Sequence, residues 1–227
     1  MLADTLFRAL KTSCQADWDA FVGHNFVRQL ADGSLPKDCF RHYLTQDYIF
    51  LIHFSRAWAL AVYKSEHLDD LRQAAKVVDG LLNQEMALHV SFCAEWGLSE
   101  AEMAATPEAS GNQAYTRFVL DKGMSGDLLD LLVALSPCVM GYGEIGEALA
   151  EDPATVKSGN LYLPWIETYA GKDYQEVARA AAEQLERVAA RRIGEDVMSS
   201  GRWPALAETF KVATRLEIGF WDMGLSP

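Results

Sequence analysis

The chain has 227 residues, of which 50% are hydrophobic, and a formal net charge of −12 at pH 7. This length and composition allow one large domain with a substantial core. The acidic balance and the lack of a lysine- and arginine-rich run argue against nucleic-acid binding. The sequence shows no uncharged apolar stretch long enough to span a bilayer, and residues 1–5 do not resemble the start of a secretory signal. We therefore expect neither a membrane protein nor a secreted one.

The cysteines are widely spaced and contain no CxxC pair; they are Cys14, Cys39, Cys93 and Cys138. In a chain too large to depend on disulfides, this spacing is typical of free thiols and disfavours a zinc finger. The pattern therefore predicts a protein of the reducing cytoplasm.

Helical periodicity runs through nearly every segment, and no alternating β-branched run bounded by turns occurs. The first predicted helix carries an apolar stripe of Leu6, Leu10, Cys14, Trp18 and Phe21. Further helices are predicted, with approximate bounds, at residues 26–30, 36–66, 67–96, 114–122, 128–150, 161–169, 174–198 and 204–223. Residues 99–113 are predicted to be partly a turn. Mostly long helices joined by short turns predict one all-α domain, residues 1–227, built as a helical bundle.

The segment around Cys138 places a thiol in an otherwise apolar helix, for which Ser125 is the expected N-cap. Pro137 falls inside this helix and bends it, because proline cannot donate a backbone hydrogen bond. Tyr142 follows Cys138 by four residues and therefore shares its face. Cys138 is either a reactive thiol or a small buried hydrophobic side chain, and the sequence leaves both possibilities open.

Three glycines, Gly141, Gly143 and Gly146, flank this Cys138–Tyr142 pair. Each costs roughly 1 kcal/mol of helix propensity relative to alanine, so their presence needs a reason. We expect them to provide room, either for a closely packed neighbouring helix or for a ligand lying against the backbone.

Two carboxylates lie on apolar helix faces. Asp47 sits among leucines and phenylalanines, where a carboxylate must be paired or bound to a ligand unless it lies on a thin solvent-facing stripe with Gln46. Glu217 precedes Phe220 and Trp221 at helical spacing; burial there would raise its pKa, which suits an acid or base. The alternative for Glu217 is a surface position, paired with a nearby cation.

Glu85 and His89 are four residues apart, a spacing that can supply two metal ligands from one helix or a hydrogen bond that pairs two helices. Trp165 and Tyr169 have the same spacing, which is typical of a core pair and also of a platform that stacks on a flat ring.

Six ordered blocks of the sequence together resemble the TenA family, also called thiaminase II. They are His24-Asn25-Phe26-Val27-Arg28-Gln29-Leu30-Ala31-Asp32-Gly33-Ser34-Leu35-Pro36, Tyr43-Leu44-Thr45-Gln46-Asp47-Tyr48, Glu85-Met86-Ala87-Leu88-His89, Pro137-Cys138 with Tyr142-Gly143-Glu144-Ile145-Gly146, Trp165-Ile166-Glu167-Thr168-Tyr169, and Glu217 with Phe220-Trp221.

The resemblance implies an all-α, haem-oxygenase-like fold without haem, no cofactor or metal, and a homotetramer. It implies a hydrolase that releases 4-amino-5-hydroxymethyl-2-methylpyrimidine from 4-amino-5-aminomethyl-2-methylpyrimidine, and more slowly from thiamin, for thiamin salvage. Cys138 places the chain in the cysteine-bearing group of the family. The implied partners are therefore small aminopyrimidines or thiamin.

Carried over by motif, the resemblance implies that Cys138 is the nucleophile and Glu217 the acid that protonates the departing amine. Asp47 is implied to hold the amine and nitrogen edge of the pyrimidine and to assist deprotonation of the thiol. The other implied pocket residues are Phe50, Tyr115, Tyr142, Tyr169 and Phe220. Phe50 departs from the tyrosine that the family pattern has at its position, so one polar contact is in doubt.

Two other function classes stay open. A metal-dependent oxidase on the same fold would use Glu85 and His89 as ligands, and a non-catalytic regulator would bind a pyrimidine without turning it over.

Overall fold

The computed structural model describes residues 5–227, so the first four residues of the expected non-secretory start lie outside the described range. The described residues form twelve α-helices with no strand. The helices are α1 (Thr5–Ser13), α2 (Gln15–Val22), α3 (Asn25–Asp32), α4 (Lys37–Lys64), α5 (Leu68–Gly80), α6 (Met86–Glu95), α7 (Glu100–Ala105), α8 (Ser110–Ser125), α9 (Leu128–Glu151), α10 (Leu163–Ala170), α11 (Lys172–Ile193) and α12 (Trp203–Gly224). A π turn at Leu81–Glu85 joins α5 to α6, and a 3₁₀ turn at Val197–Ser199 precedes α12.

The predicted first helix is two helices, because the chain leaves helical geometry at Cys14, which has a φ of −136° and a ψ of 39°. The predicted stripe is nevertheless buried on both helices, from Leu6 and Leu10 to Trp18 and Phe21. Periodicity therefore located the buried face correctly and missed the break within it.

The N-cap predicted at Ser125 is wrong. Ser125 ends α8, where its hydroxyl donates to the carbonyl of Asp121. The start of α9 is held instead by Asp127, whose Oδ1 accepts the backbone N–H groups of Leu129 and Asp130 at 2.9 and 3.2 Å. Such side-chain acceptors satisfy backbone donors that have no partner within the helix.

Residues 99–113 are more helical than predicted. Ser99 and Glu102 form a reciprocal capping box that starts α7, and α8 begins at Ser110 rather than at residue 114. The predicted helix at residues 67–96 is helical throughout most of its length but contains the π turn. Single π turns inside α-helices are frequent at functional sites.

The described chain divides into two compact units. The first contains residues 5–35 and 132–218. Its core includes the ring of Trp18 stacked on Phe210, with centroids 5.6 Å apart and an interplanar angle of 15°. Helix α1 packs against α11, where Glu186 Oε1 accepts the backbone N–H of Leu6 at 2.9 Å. This buried carboxyl group accepts backbone N–H groups of the first turn, which have no partner within the helix.

The second unit contains residues 36–131 and 219–227. Helix α4 is its centre and packs against α5, α6, α7 and α8, which explains why α4 is apolar on several faces. Tyr43, Trp58 and Phe40 on α4 are almost completely buried. The single domain predicted from the sequence stays a prediction, since this division does not test it.

Within the described residues, α9 is the one helix long and apolar enough to cross a membrane by these two criteria. In its most apolar stretch, 83% of the residues are buried inside the protein. This is the burial that a core helix shows, so α9 is a weak indicator of a membrane span.

Candidate functional site

The Cys138 thiol lies in the middle of α9. Pro137 precedes it directly and lies inside the same continuous helix. Cys138 is partly exposed, whereas most of its neighbours on α9, including Leu135 and Tyr142, are buried. All four cysteines lie outside disulfide bonds, as predicted. Cys138 is partly exposed and the other three are buried, and a reactive thiol needs this access.

An aromatic cluster lies beside this part of α9. The Tyr142 ring contacts Tyr169 with centroids 5.1 Å apart, and Trp165 contacts Tyr169 at 4.5 Å. Tyr174 closes the cluster through its ring contact with Tyr169 at 4.7 Å and through its hydroxyl, which donates to the carbonyl of Val139 at 3.2 Å. The predicted pairing of Trp165 with Tyr169 is therefore confirmed, and Tyr142 joins it.

The α9 glycines make room for neighbouring protein groups. A Cβ at Gly141 would overlap the ring of Phe21, and one at Gly143 would lie 3.2 Å from the Cβ of Ala178. Gly146 lies against the backbone where α10 ends. Of the two explanations that the sequence left open, close packing of a neighbouring element accounts for these glycines.

Glu217 on α12 is 1% exposed. The alternative of a glutamate on the surface is therefore wrong. A buried carboxyl group of this kind is a candidate acid or base.

Asp47 in the second unit is buried on α4 together with Gln46, so the predicted alternative of a solvent-facing stripe is wrong. Burial raises the pKa of Asp47 to about 7. His89 Nδ1 lies 3.5 Å from Asp47 Oδ2, and its Nε2 lies 2.9 Å from the carbonyl oxygen of Leu44. Asp47 and His89 therefore form a buried polar pair between α4 and α6.

Two further titratable groups surround this pair. Burial, followed by the nearby Asp47 carboxyl, raises the pKa of Glu85 to about 7. The same two causes raise the pKa of the Cys93 thiol to about 12. Desolvation lowers the pKa of His89, against the opposing effect of the Leu44 carbonyl. The environment disfavours every charged form, which is a property shared by many functional sites.

Aromatic rings from three helices of the second unit meet at Phe50. Its ring stacks on Phe54 at 5.2 Å and contacts Tyr115 at 5.3 Å and Phe220 at 5.4 Å. Tyr115 and Phe220 are 0% and 1% exposed. The structure thus brings together three of the pocket residues that the resemblance implied.

A hydrogen-bond network that no sequence motif indicated orients α8. Gln46 Oε1 accepts the backbone N–H of Ala109 at 2.9 Å, and its Nε2 donates to the carbonyl of Pro107 at 3.0 Å. Asn112 Nδ2 donates to the backbone carbonyl of Gln46 at 2.8 Å. Asn112 lies three residues before Tyr115, so the network fixes the helix that carries this ring. A buried amide inside a helix was the available signal.

The described residues contain no group of three or more His, Cys, Asp or Glu side chains arranged to hold a metal ion. Within that part of the chain, Glu85 and His89 do not belong to a group of three or more ligands of the kind that the oxidase alternative requires. The hydrogen-bond alternative explains His89 instead, because its Nε2 joins α6 to the Leu44 carbonyl of α4.

The predicted residues fall into two groups. Cys138, Tyr142, Tyr169 and Glu217 belong to the first unit, in which Tyr142 and Tyr169 are in contact. Asp47, Phe50, Tyr115 and Phe220 belong to the second, in which the three rings meet.

Comparison with protein families matches residues 12–226 to the TENA/THI-4/PQQC family model. An uncharacterized protein of Haemophilus influenzae is 37% identical over 97% of this chain and 99% of its own length. A protein of Halalkalibacterium halodurans named aminopyrimidine aminohydrolase is 34% identical over 95% of this chain and 93% of its own length.

Two solved structures extend the comparison. A TenA family transcription regulator from Silicibacter sp. TM1040 is 49% identical, with a TM-score of 0.94, and the match covers 97% of this chain and 96% of that one. A domain with a heme oxygenase-like fold from Shewanella denitrificans is 15% identical, with a TM-score of 0.69 over 95% of this chain and 90% of that one. The latter likeness concerns the fold alone, and it confirms the predicted all-α, haem-oxygenase-like class.

Proposed function

Because the chain belongs to the TENA/THI-4/PQQC family, we propose that it is an aminopyrimidine aminohydrolase of thiamin salvage. The proposed reaction converts 4-amino-5-aminomethyl-2-methylpyrimidine and water into 4-amino-5-hydroxymethyl-2-methylpyrimidine and ammonia. Thiamin is a slower substrate, from which the same pyrimidine alcohol is released. The observation that carries the proposal is the 34% identity, over 95% of the chain, to a relative named for this activity.

Cys138 is the proposed nucleophile. Its thiolate adds to the electron-poor pyrimidine ring, and this addition assists loss of the amine from the exocyclic methylene carbon. Water then forms the new C–O bond at that carbon, the water proton is released, and the thiolate leaves the ring. The partial exposure of Cys138 within a buried helix supports this role, because a nucleophile must be reachable by substrate.

Glu217 is the proposed proton donor. An amine leaves poorly as an anion, so a general acid must deliver a proton to the nitrogen as the C–N bond breaks. The nearly complete burial of Glu217 supports this role, because a proton donor inside the protein is separated from bulk water.

Asp47 is proposed to bind the amine and nitrogen edge of the pyrimidine and to assist deprotonation of the thiol. Tyr142 and Tyr169 are proposed to hydrogen-bond or stack with the ring, and their mutual contact supports a common role. Phe50, Tyr115 and Phe220 are proposed as aromatic pocket residues. Phe50 has no hydroxyl, so it can contribute packing against substrate but no hydrogen bond.

We also propose a homotetramer in the cytoplasm. Several large apolar side chains of the second unit are exposed in the single chain, namely Tyr63, Leu68, Leu82 and Leu88. Such residues are common at interfaces between subunits.

The test is to measure formation of the pyrimidine alcohol, by mass-resolved chromatography, from the aminomethylpyrimidine and from thiamin. Wild type is expected to turn over the aminomethyl substrate faster, and Cys138→Ser to lose turnover of both. Cys39→Ser is the matched control, because Cys39 is a buried thiol to which no chemistry is assigned. Absence of alcohol from wild type with either substrate would overturn the proposed activity, and an active Cys138→Ser variant would overturn the role of the thiol.

A pyrimidine-binding regulator is the second candidate. The solved structure with 49% identity is named a transcription regulator, and this name favours the second candidate. The net charge of −12 disfavours direct contact with DNA, so regulation would need another partner. Tight pyrimidine binding without turnover, measured by calorimetry on the sample used for the activity assay, would support this candidate.

A further inference from the structure

His89 is held between two acceptors on α4. Its Nε2 lies 2.9 Å from the carbonyl oxygen of Leu44, and its Nδ1 lies 3.5 Å from Asp47 Oδ2. A backbone carbonyl only accepts hydrogen bonds, so Nε2 carries a proton. In a neutral imidazole, Nδ1 is then an acceptor and faces the Asp47 carboxyl group with its lone pair.

Two acceptors in this position require one proton between them. The proton sits either on Nδ1, which gives an ion pair, or on Asp47, which gives a neutral pair. The side chains of His89 and Asp47 are only 10% and 11% exposed. Burial raises the pKa of Asp47 and lowers the pKa of His89, and both shifts favour the neutral pair.

We propose that His89 is a positioning residue. It accepts a hydrogen bond from the protonated Oδ2 of Asp47, the state that Asp47 also reaches when it assists deprotonation of the thiol, and so presents Oδ1 as an acceptor for the 4-amino group of the pyrimidine. This inference rests on the proposed function. The distance of 3.5 Å is longer than that of a formed hydrogen bond, and contacts of this kind often tighten only when substrate binds. Tightening requires no more than a small movement of the carboxyl group, because Leu44 already anchors the ring.

The other titratable groups around Asp47 fit this arrangement. Glu85, at the end of the π turn, and Cys93, one turn beyond His89, are favoured in their uncharged forms. On α7, Glu100 accepts a hydrogen bond from Tyr48. Glu108, which precedes α8, pairs with Arg117 of α8 at 2.6 Å and lies 3.7 Å from His53 of α4, so these groups are engaged elsewhere. Burial alone is the cause of the raised pKa of Asp47.

The alternative is that His89 only ties α6 to α4 through Leu44. Two variants separate these roles. His89→Gln retains an amide nitrogen near the position of Nε2 and so keeps the donor to Leu44, but it lacks Nδ1. His89→Asn keeps a polar atom near the position of Nδ1 and is too short to reach the Leu44 carbonyl.

The first experiment measures kcat/KM against pH for the wild type and both variants, together with their melting temperatures. Loss of the Nδ1 acceptor removes stabilisation of protonated Asp47, so the alkaline limb in His89→Gln is expected to move down by about 0.5 to 1 pH unit. The melting temperature of that variant stays near that of wild type, whereas His89→Asn melts earlier and keeps the alkaline limb. A His89→Gln profile that coincides with wild type, with only His89→Asn impaired, would mean that His89 has a structural role alone.

The second experiment needs no substrate and therefore separates this inference from the proposed function. Histidine-selective ¹⁵N NMR compares wild type with Asp47→Ala, and the His89 signals are assigned by their loss in His89→Gln. The expected spectrum has a protonated Nε2 and an Nδ1 signal that shifts towards that of a free acceptor in Asp47→Ala. An Nδ1 signal that is unchanged in Asp47→Ala would overturn the proposed pair, even in an enzyme with the proposed activity.

Discussion

Gly146 on α9 lies directly against the backbone of Tyr169 at the end of α10. A Cβ at Gly146 would come within 2.6 Å of both the backbone nitrogen of Ala170 and the Cβ of Tyr169. Backbone cannot move aside as a flexible side chain can. This glycine therefore sets how closely the proposed ring-binding residue Tyr169 approaches the helix that carries Cys138.

We expect Gly146→Ala to destabilise the protein by about 1 to 3 kcal/mol, the usual cost of overpacking. It should also lower kcat/KM, because the backbone at Tyr169 must shift. Thermal melting and the alcohol-formation assay measure the two effects. Gly80→Ala is the control, since nothing lies within 4 Å of a Cβ at that helical position and the change should stabilise slightly. Equal stability of Gly146→Ala and wild type would contradict the close approach.

A second prediction concerns the pH dependence of stability. The folded-state pKa of Asp47 is about 7, against an ordinary value of 3.8, so the folded protein binds more protons than the unfolded chain between these values. The free energy of unfolding therefore falls as the pH rises through this window. Above about pH 7, the full cost of ionising the buried Asp47 carboxyl group destabilises the folded protein. Asp47→Asn removes the ionisable group.

We expect Asp47→Asn to melt close to wild type at pH 4 and at a higher temperature than wild type at pH 8, with the difference growing between these values. Calorimetric scans at several pH values provide the measurement. Asp38→Asn is a control on the same helix, because the side chain of Asp38 is exposed. A difference between Asp47→Asn and wild type that is the same at every pH would show that the carboxyl group is not the cause.

The fold was predictable where helical periodicity governs burial. The long helix at residues 36–66 corresponds to α4, and the predicted helix at residues 204–223 corresponds to α12. The break at Cys14 was not predictable from periodicity, because the apolar stripe continues across it in both helices. Ser125 and Asp127 can each act as an N-cap. Which of them caps α9 depends on where α8 ends, and no local pattern indicates that position.

The residue types of the candidate site could be predicted from the sequence, but only some of the contacts between them could. The spacing of Trp165 and Tyr169 predicts their contact because both lie on one helix. The pairing of His89 with Asp47 joins residues that are far apart in the sequence, and no local pattern indicates it. The sequence instead suggested that Glu85 and His89 act together as metal ligands, because helical spacing relates only residues on the same helix.

A third prediction tests the network that orients α8. Asn112→Ala leaves the backbone carbonyl of Gln46 without its 2.8 Å hydrogen bond. We expect a loss of about 0.5 to 1.5 kcal/mol in stability, the usual net contribution of a hydrogen bond, because the Gln46 carbonyl keeps its hydrogen bond within α4. The proposed pocket residue Tyr115 lies one turn along α8, so KM for the aminomethylpyrimidine should rise. Gln113→Ala, at the adjacent exposed position, should change neither quantity. An unchanged KM in a destabilised Asn112→Ala would contradict the link to Tyr115.

A fourth prediction concerns assembly. Leu88 on α6 is 68% exposed in the single chain. If this side chain is buried between subunits, Leu88→Lys should weaken association by roughly tenfold or more, because burying a leucine contributes about 1.5 to 3 kcal/mol. Light scattering coupled to size-exclusion chromatography measures the mass over a range of concentrations. Leu161→Lys, at a residue that is 50% exposed in the first unit, is the comparison. A tetramer that persists in Leu88→Lys on dilution would exclude this face.

The last prediction uses the difference between two leaving groups. The aminomethyl substrate must release an amine, which needs a proton, whereas thiamin releases a thiazole that departs as a neutral molecule from a cationic ring. A general acid should therefore matter for the first substrate and little for the second. Glu217→Gln keeps the size of the side chain and can still donate a hydrogen bond, but it cannot transfer a proton.

We expect Glu217→Gln to lower kcat for the aminomethylpyrimidine by roughly 10²- to 10⁴-fold, the usual contribution of a general acid, and to leave thiamin cleavage within about tenfold of wild type. Cys138→Ser should abolish both reactions, because the nucleophile is common to them. Parallel measurement of both substrates on each variant thus separates the acid from the nucleophile. If Glu217→Gln slows both substrates equally, this buried carboxyl group acts in binding or folding and the proton reaches the amine from another group.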